Sequence, residues 1–374
     1  MEFRNFIPVN EPLFDGNEKK YLAECIDSRW ISSDGPFVKK FEDRFASRVG
    51  RAFGVAVTNG TAALDVAVDA LGIGPGDEVI VPAFTIISCV MQIVRAGAVP
   101  VLIDCDPITW NMDVSQIEAK ITPRTKAIMV VHIYGLPVNM APVLDLVRRH
   151  GLKLIEDAAE AIGLTYDGRP CGSFGDISAF SFYANKHVAT GEGGMVVADD
   201  PTLAETCRSL RNLCFQPQKR FVHERLGWNL RMTNMQAALG LAQLERLDET
   251  VARKRRMGAR YQALLADVPG IQLPLERTDS AENVYWVFGL VLDDSLALDA
   301  EAAMARLAAR GIGTRPFFCP MHQQPVLKAG SLFHGERYPV AERLYRRGFY
   351  LPSGTALTDE QIERVAAAVG EVIR

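Results

Sequence analysis

The chain has 374 residues, 48% hydrophobic and 23% charged, enough apolar material for a large core, which excludes a disordered or fibrous protein. Lys+Arg 41 against Asp+Glu 45 leaves a formal net charge of -4 with no long run of one sign, so nucleic acid is not an expected partner. At about 150 residues per domain, the length calls for two domains or one large α/β domain with an appendage.

Seven cysteines, Cys25, Cys89, Cys105, Cys171, Cys207, Cys214 and Cys319, are scattered singly with no C-x-x-C pair, the usage expected of reduced thiols in a cytoplasmic protein. Met1 to Asn10 has no charged stretch followed by an apolar one, so no signal peptide is expected. The most apolar stretch, 79–94, contains Pro82, Thr85, Ser88 and Gln92 and falls short of the roughly 20 residues a membrane span needs. It reads as buried core, and no membrane partner is expected.

Ahead of residue 53, Phe37, Phe41 and Phe45 recur every four residues, one buried face of a helix. From 53 to 198, short β-branched runs alternate with helical patterns, the signature of a mostly parallel sheet with crossover helices. Strands are predicted over 53–57, 78–81, 99–103, 127–131, 153–155, 177–182 and 195–198, and helices over 62–71, 85–95 and 142–150. Beyond 200 a long helical stretch runs from Asn234 to Leu265, with Leu239, Leu241, Leu244 and Leu247 among charges. The last third, about 275–374, mixes a strand over 286–292 with helices over 301–309 and 359–373, a smaller α+β domain.

Chemistry concentrates at the strand ends. Ile155-Glu156-Asp157-Ala158-Ala159-Glu160-Ala161 closes an apolar strand with an acidic pair, and ligands of open α/β sheets bind at the carboxyl ends of strands. Alone, such an acid is more often a helix cap. The next strand runs into Tyr183-Ala184-Asn185-Lys186-His187 and a glycine-rich turn at 191–194. Most lysines are solvated surface charges. Set beside Asp157, however, Lys186 matches the need for a Schiff-base amine and a carboxylate facing a pyridine nitrogen. No G-x-G-x-x-G follows the first strand, and no G-x-x-x-x-G-K-[ST], H-E-x-x-H or paired Cys/His spacing occurs, so neither a dinucleotide site nor a metal site is expected.

On these segments, and on Asn59-Gly60-Thr61, Gly76-Asp77-Glu78-Val79-Ile80-Val81-Pro82, Ser181-Phe182 and Arg231-Met232-Thr233-Asn234, the chain resembles the fold-type I, pyridoxal-phosphate-dependent aminotransferases that act on nucleotide-linked keto sugars. The likeness covers nearly the whole chain. It implies a large cofactor-binding domain over 1–250, with an N-terminal arm and a mostly parallel seven-stranded sheet flanked by helices, and a small α+β domain over 251–374. Arg315-Pro316-Phe317-Phe318 and Pro320-Met321-His322 resemble members that aminate C4 of a GDP-linked 4-keto-6-deoxy sugar from L-glutamate, for bacterial surface polysaccharide. Amination at C3, or a UDP- or dTDP-linked sugar, would share the same scaffold. A pyridoxal-phosphate-dependent sugar dehydratase would have histidine in place of Lys186, and a catalytically silent relative would lack Lys186 or Asp157.

The resemblance also implies roles. Lys186 forms the Schiff base with the cofactor and, once freed, shuttles a proton; Asp157 pairs with the pyridine nitrogen. Gly60 and Thr61, where a strand gives way to a helix, receive the phosphate together with Ser181. Glu160 lines the pocket near the ring hydroxyl, or serves as a first-turn helix acid. Asn229 reaches the phosphate from the neighbouring subunit, which implies a homodimer with shared active sites. Ile86 stands where the family usually places an aromatic residue against the ring, with Phe84 either a compensating ring or core. His187, Arg315 and His322 are substrate-side candidates. Their plain alternatives are a satisfied buried histidine and a polar rim. Trp30-Ile31-Ser32-Ser33 is read as a segment reaching the nucleotide.

Overall fold

A computed structural model of the chain describes residues 6–216 and 218–373. The strands are β1 (Phe53–Val57), β2 (Glu78–Pro82), β3 (Val99–Ile103), β4 (Thr125–Val131), β5 (Lys153–Asp157), a separate hairpin of β6 (Thr165–Tyr166) and β7 (Arg169–Pro170), then β8 (Ile177–Ser181) and β9 (Gly194–Ala198). Seven of these form one sheet in the order β1-β9-β8-β5-β4-β2-β3. The neighbours from β8 to β3 run parallel, while β9 is antiparallel to both β8 and β1.

The runs of Val, Ile and Leu that mark these strands follow from burial on both faces. Val79 and Val81 join the core on one side of the sheet, and Ile80 joins the core on the other. Two helices, α1 (Glu18–Asp27) and α2 (Pro36–Arg48), precede the sheet; α3 (Gly60–Ala70), α4 (Ile87–Arg95), α5 (Met140–His150) and α6 (Pro201–Arg211) flank it. Phe41 and Phe45 of α2 meet Phe182 at centroid separations of 5.0 Å, and Phe45 also meets Phe180 at 4.8 Å. The four-residue phenylalanine spacing is therefore a helix face packed beneath β8.

The predicted 234–265 helix is two, α7 (Asn234–Leu244) and α8 (Leu247–Leu265). Thr233 and Gln236 cap the start of α7 reciprocally. A Cβ on Gly240 would lie 2.6 Å from the Phe41 ring, so this glycine permits the close crossing of α7 over α2. Beyond α8 lies an antiparallel sheet of β10 (Ile271–Gln272), β11 (Phe288–Leu292), β12 (Arg315–Pro316) and β13 (Gly348–Leu351), in the order β10-β11-β13-β12. It is surrounded by α9 (Ala300–Ala308), α10 (Pro325–Ala329), α11 (Pro339–Arg347) and α12 (Asp359–Ile373), with a core of its own around Tyr261, Phe288, Leu290 and Val369. Among the described residues no helix is long and apolar enough to cross a membrane.

Candidate active site

A cavity of about 470 Å³ opens at the carboxyl ends of β5 and β8 and brings together Gly60, Thr61, Ile86, Asp157, Glu160, Ser181 and Lys186. Each arrives there for a local reason. Asn59 is extended and its side chain accepts the Ala62 N–H at 2.8 Å, capping α3 so that Gly60 and Thr61 form its first turn. The positive end of the helix thus faces the cavity. A Cβ on Gly60 would sit 2.8 Å from Ser181 Cβ, so only glycine leaves room for this cradle. Register places Asp157 at the end of β5 beside Val131 at the end of β4 and beside Ala179 within β8.

Asp157 is buried, and both its oxygens already accept hydrogen bonds, Oδ1 from the Ala159 N–H at 3.0 Å and Oδ2 from the Cys89 thiol at 3.1 Å. Burial raises its pKa, against the pull of these two donors and of Lys186. Glu160 accepts the Tyr134 N–H at 2.8 Å, and its other oxygen stands 3.9 Å from Lys186 Nζ. Burial pushes the Glu160 carboxyl up and the Lys186 amine down, while their mutual attraction opposes both shifts. A lysine with a lowered pKa is a better nucleophile near neutrality.

These features fit pyridoxal 5′-phosphate. The helix start with the Thr61 and Ser181 hydroxyls suits a phosphate, and the buried Asp157 carboxylate suits a protonated ring nitrogen. The Asn185 Oδ1, buried without a partner, is an acceptor on the same wall. Ile86 is 45% exposed on the cavity, whereas Phe84 is wholly buried against Tyr134, Phe317 and Phe318. Phe84 is thus core and lends the cavity no ring.

Other predicted residues lie elsewhere. His187 does not line the cavity; the imidazole is buried with Nδ1 2.7 Å from the Ile162 carbonyl. Burial, with Lys254 nearby, drives its pKa down to about 3, so it stays neutral. Arg315 is exposed on β12 beside Tyr350, outside the lining. His322 is buried against Glu342 at 3.1 Å, in a separate cleft with His334 and Arg337. The Asn229 amide oxygen accepts from Arg231 Nε at 2.9 Å, and Asn229 is also outside the lining. Ser33 belongs to a further polar cleft with Arg208, Arg211 and Arg231.

Several contributors carried no sequence signal. Cys89, from the first turn of α4, braces Asp157. Trp286 brings its indole from the second sheet to the lysine, 3.6 Å from ring centroid to Nζ. It was expected to head the 286–292 strand, yet it precedes β11 and turns into the cavity with Phe318 and Tyr350. Behind β5, Glu156 accepts from His132 at 2.9 Å, from the N–H groups of Gly172, Phe174 and Gly175, and from the Ser178 hydroxyl. Burial alone would raise the Glu156 carboxyl, but these donors leave it below its usual range. Cys171 stands near the pair within 4.8 Å, but Glu156 is saturated by donors and His132 Nδ1 accepts the Val138 N–H, so the trio is a brace.

The sequence pattern of the DegT/DnrJ/EryC1/StrS aminotransferase family matches residues 12–370. GDP-perosamine synthase of Caulobacter vibrioides is 44% identical over 98% of this chain and 98% of its own, and GDP-perosamine synthase of Escherichia coli O157:H7 is 42% identical over the same shares. Among solved structures, the PLP form of Spr1654 from Streptococcus pneumoniae matches with a TM-score of 0.92 at 26% identity, covering 98% of each chain. The chain belongs to the DegT/DnrJ/EryC1/StrS family. It is a pyridoxal-phosphate-dependent sugar aminotransferase, as the fold and the cavity imply.

Proposed function

We propose that the protein moves the amino group of L-glutamate to C4 of GDP-4-keto-6-deoxymannose, giving GDP-perosamine as a precursor of surface polysaccharide. The observation that carries this reading is the convergence of Lys186, Asp157 and the start of α3 on one cavity. The choice of GDP rests on the two full-length relatives named for GDP-perosamine synthesis.

Pyridoxal phosphate, when bound, supplies the electron sink that makes the carbon bearing the amine acidic. The chain's residues do the rest. Lys186 Nζ would be the amine that holds the cofactor and, when free, the base positioned to move a proton. Asp157, its carboxylate oriented by the Ala159 N–H and the Cys89 thiol, would hold a proton on the ring nitrogen. Gly60, Thr61 and Ser181 would hold the phosphate, and Ile86 would offer the ring an aliphatic contact. We further propose a cytoplasmic homodimer in which Asn229 of one subunit reaches the partner's phosphate site, and a division of the chain into domains near residue 250. The exposed Phe221, Leu226 and Trp228 near Asn229 support a protein–protein contact there.

Borohydride reduction of the holoenzyme, followed by peptide mass spectrometry, tests the site. The cofactor is expected on Lys186 and on no other lysine; attachment elsewhere overturns the assignment.

A further inference from the structure

Trp286 is held in place from every side. Tyr285, just before it, has a left-handed φ of 47°, a conformation that a bulky residue keeps only where the surroundings fix it. The fixing contacts are present. The Tyr285 N–H donates to Asn283 Oδ1 at 2.6 Å, and the Val284 N–H donates to the Gly135 carbonyl at 2.9 Å. Gly135 lies so close that a Cβ there would come within 2.6 Å of the Trp286 nitrogen. The Trp286 carbonyl accepts from Lys254 Nζ of α8 at 2.8 Å, and its indole Nε1 donates to the Asn185 carbonyl at 2.9 Å. The last bond ties the ring to the residue before Lys186.

The result is an aromatic face 3.6 Å from the Lys186 ammonium, inside the cation–π range. Without it, a free Lys186 would be drawn wholly to its two buried acids, Glu160 at 3.9 Å and Asp157. We propose that Trp286 is a positioning residue for the transfer reaction: its indole face receives the Lys186 amine whenever that amine is free, and keeps it over the cavity instead of locked in an ion pair with either acid. The proposal rests on the reading of Lys186 as the cofactor-bearing lysine. The groups around that amine are Asp157 at the end of β5 and Glu160 three residues beyond it, Cys89 from α4, and Tyr183 and Tyr350 on the cavity wall, with Lys254 and the neutral His187 nearby. None of them changes when only the ring's electron density is altered.

That independence defines the experiment. Tryptophan analogues of increasing fluorination are introduced at position 286 alone, which weakens the ring's attraction for a cation at nearly constant shape. In the full-length apoenzyme, the pH dependence of Lys186 acetylation by acetic anhydride is read by peptide mass spectrometry. The labelling midpoint is expected to fall stepwise, by about one pH unit from tryptophan to the most fluorinated ring, with Trp286→Leu at the low end. A midpoint constant across the series means that Trp286 only fills space, and overturns the proposal. Because the apoenzyme titration never calls on Lys186 to carry cofactor, its failure is distinct from attachment of cofactor to another lysine.

Discussion

His187 follows Lys186 in the chain yet is buried outside the cavity lining. In the folded protein its pKa is lowered to about 3, against about 6.5 in an unfolded chain. Between those values the unfolded chain takes up a proton that the folded one refuses, so this residue lowers stability as pH falls, by up to about 1.4 kcal/mol per pH unit. The buried carboxyls of Asp157 and Glu160, with raised pKa values, act in the opposite sense in acid. A His187→Leu variant isolates the first contribution: between about pH 6.5 and 4.5 its unfolding free energy is expected to fall less steeply than that of the wild type. Parallel curves in urea unfolding would contradict this. At this scale the sequence was legible where an acid closes an apolar strand, as at Asp157, or a lysine follows one, as at Lys186, since both line the cavity. It was illegible at Cys89 and Trp286, whose apolar character is that of any core residue and whose role exists only through contacts distant in sequence.

Helix α8 is tied to the chain beside the second sheet by a buried cation. Lys254 donates to the carbonyls of Trp286 and Ser353, with no carboxylate among its partners, and burial pushes its pKa down to about 7. Removing the amine leaves two buried carbonyls without a donor, each costing about 1–3 kcal/mol. Lys254→Met is therefore expected to lower stability by roughly 2 kcal/mol or more in denaturant unfolding, and a loss below about 0.5 kcal/mol would show that these bonds are replaced. Elements were readable where burial leaves a simple pattern: β1, β3 and α12 fall where the runs of apolar residues place them. The break between α7 and α8 has neither proline nor glycine at Glu245-Arg246 and depends on how each helix packs, so periodicity ran straight through it.

Across the whole molecule, the sheet supplies the cofactor end of the cavity and the second sheet supplies Trp286 and Tyr350 as its opposite wall. The N-terminal segment joins both, with Ile7 bonded to Gly311 and Gly313, and Asn10 donating to the Ala184 carbonyl at 3.0 Å beside the lysine turn. The chain's likeness to GDP-perosamine synthases covers 98% of its length, this space included. The most direct test is a visible absorption titration of the holoenzyme with L-glutamate, followed by challenge with GDP-, UDP- and dTDP-linked 4-keto-6-deoxy sugars. Glutamate is expected to bleach the cofactor's long-wavelength band and only GDP-4-keto-6-deoxymannose to restore it, with GDP-perosamine formed. A band that glutamate leaves unchanged, or that returns only with a UDP- or dTDP-linked sugar, would contradict the proposed function.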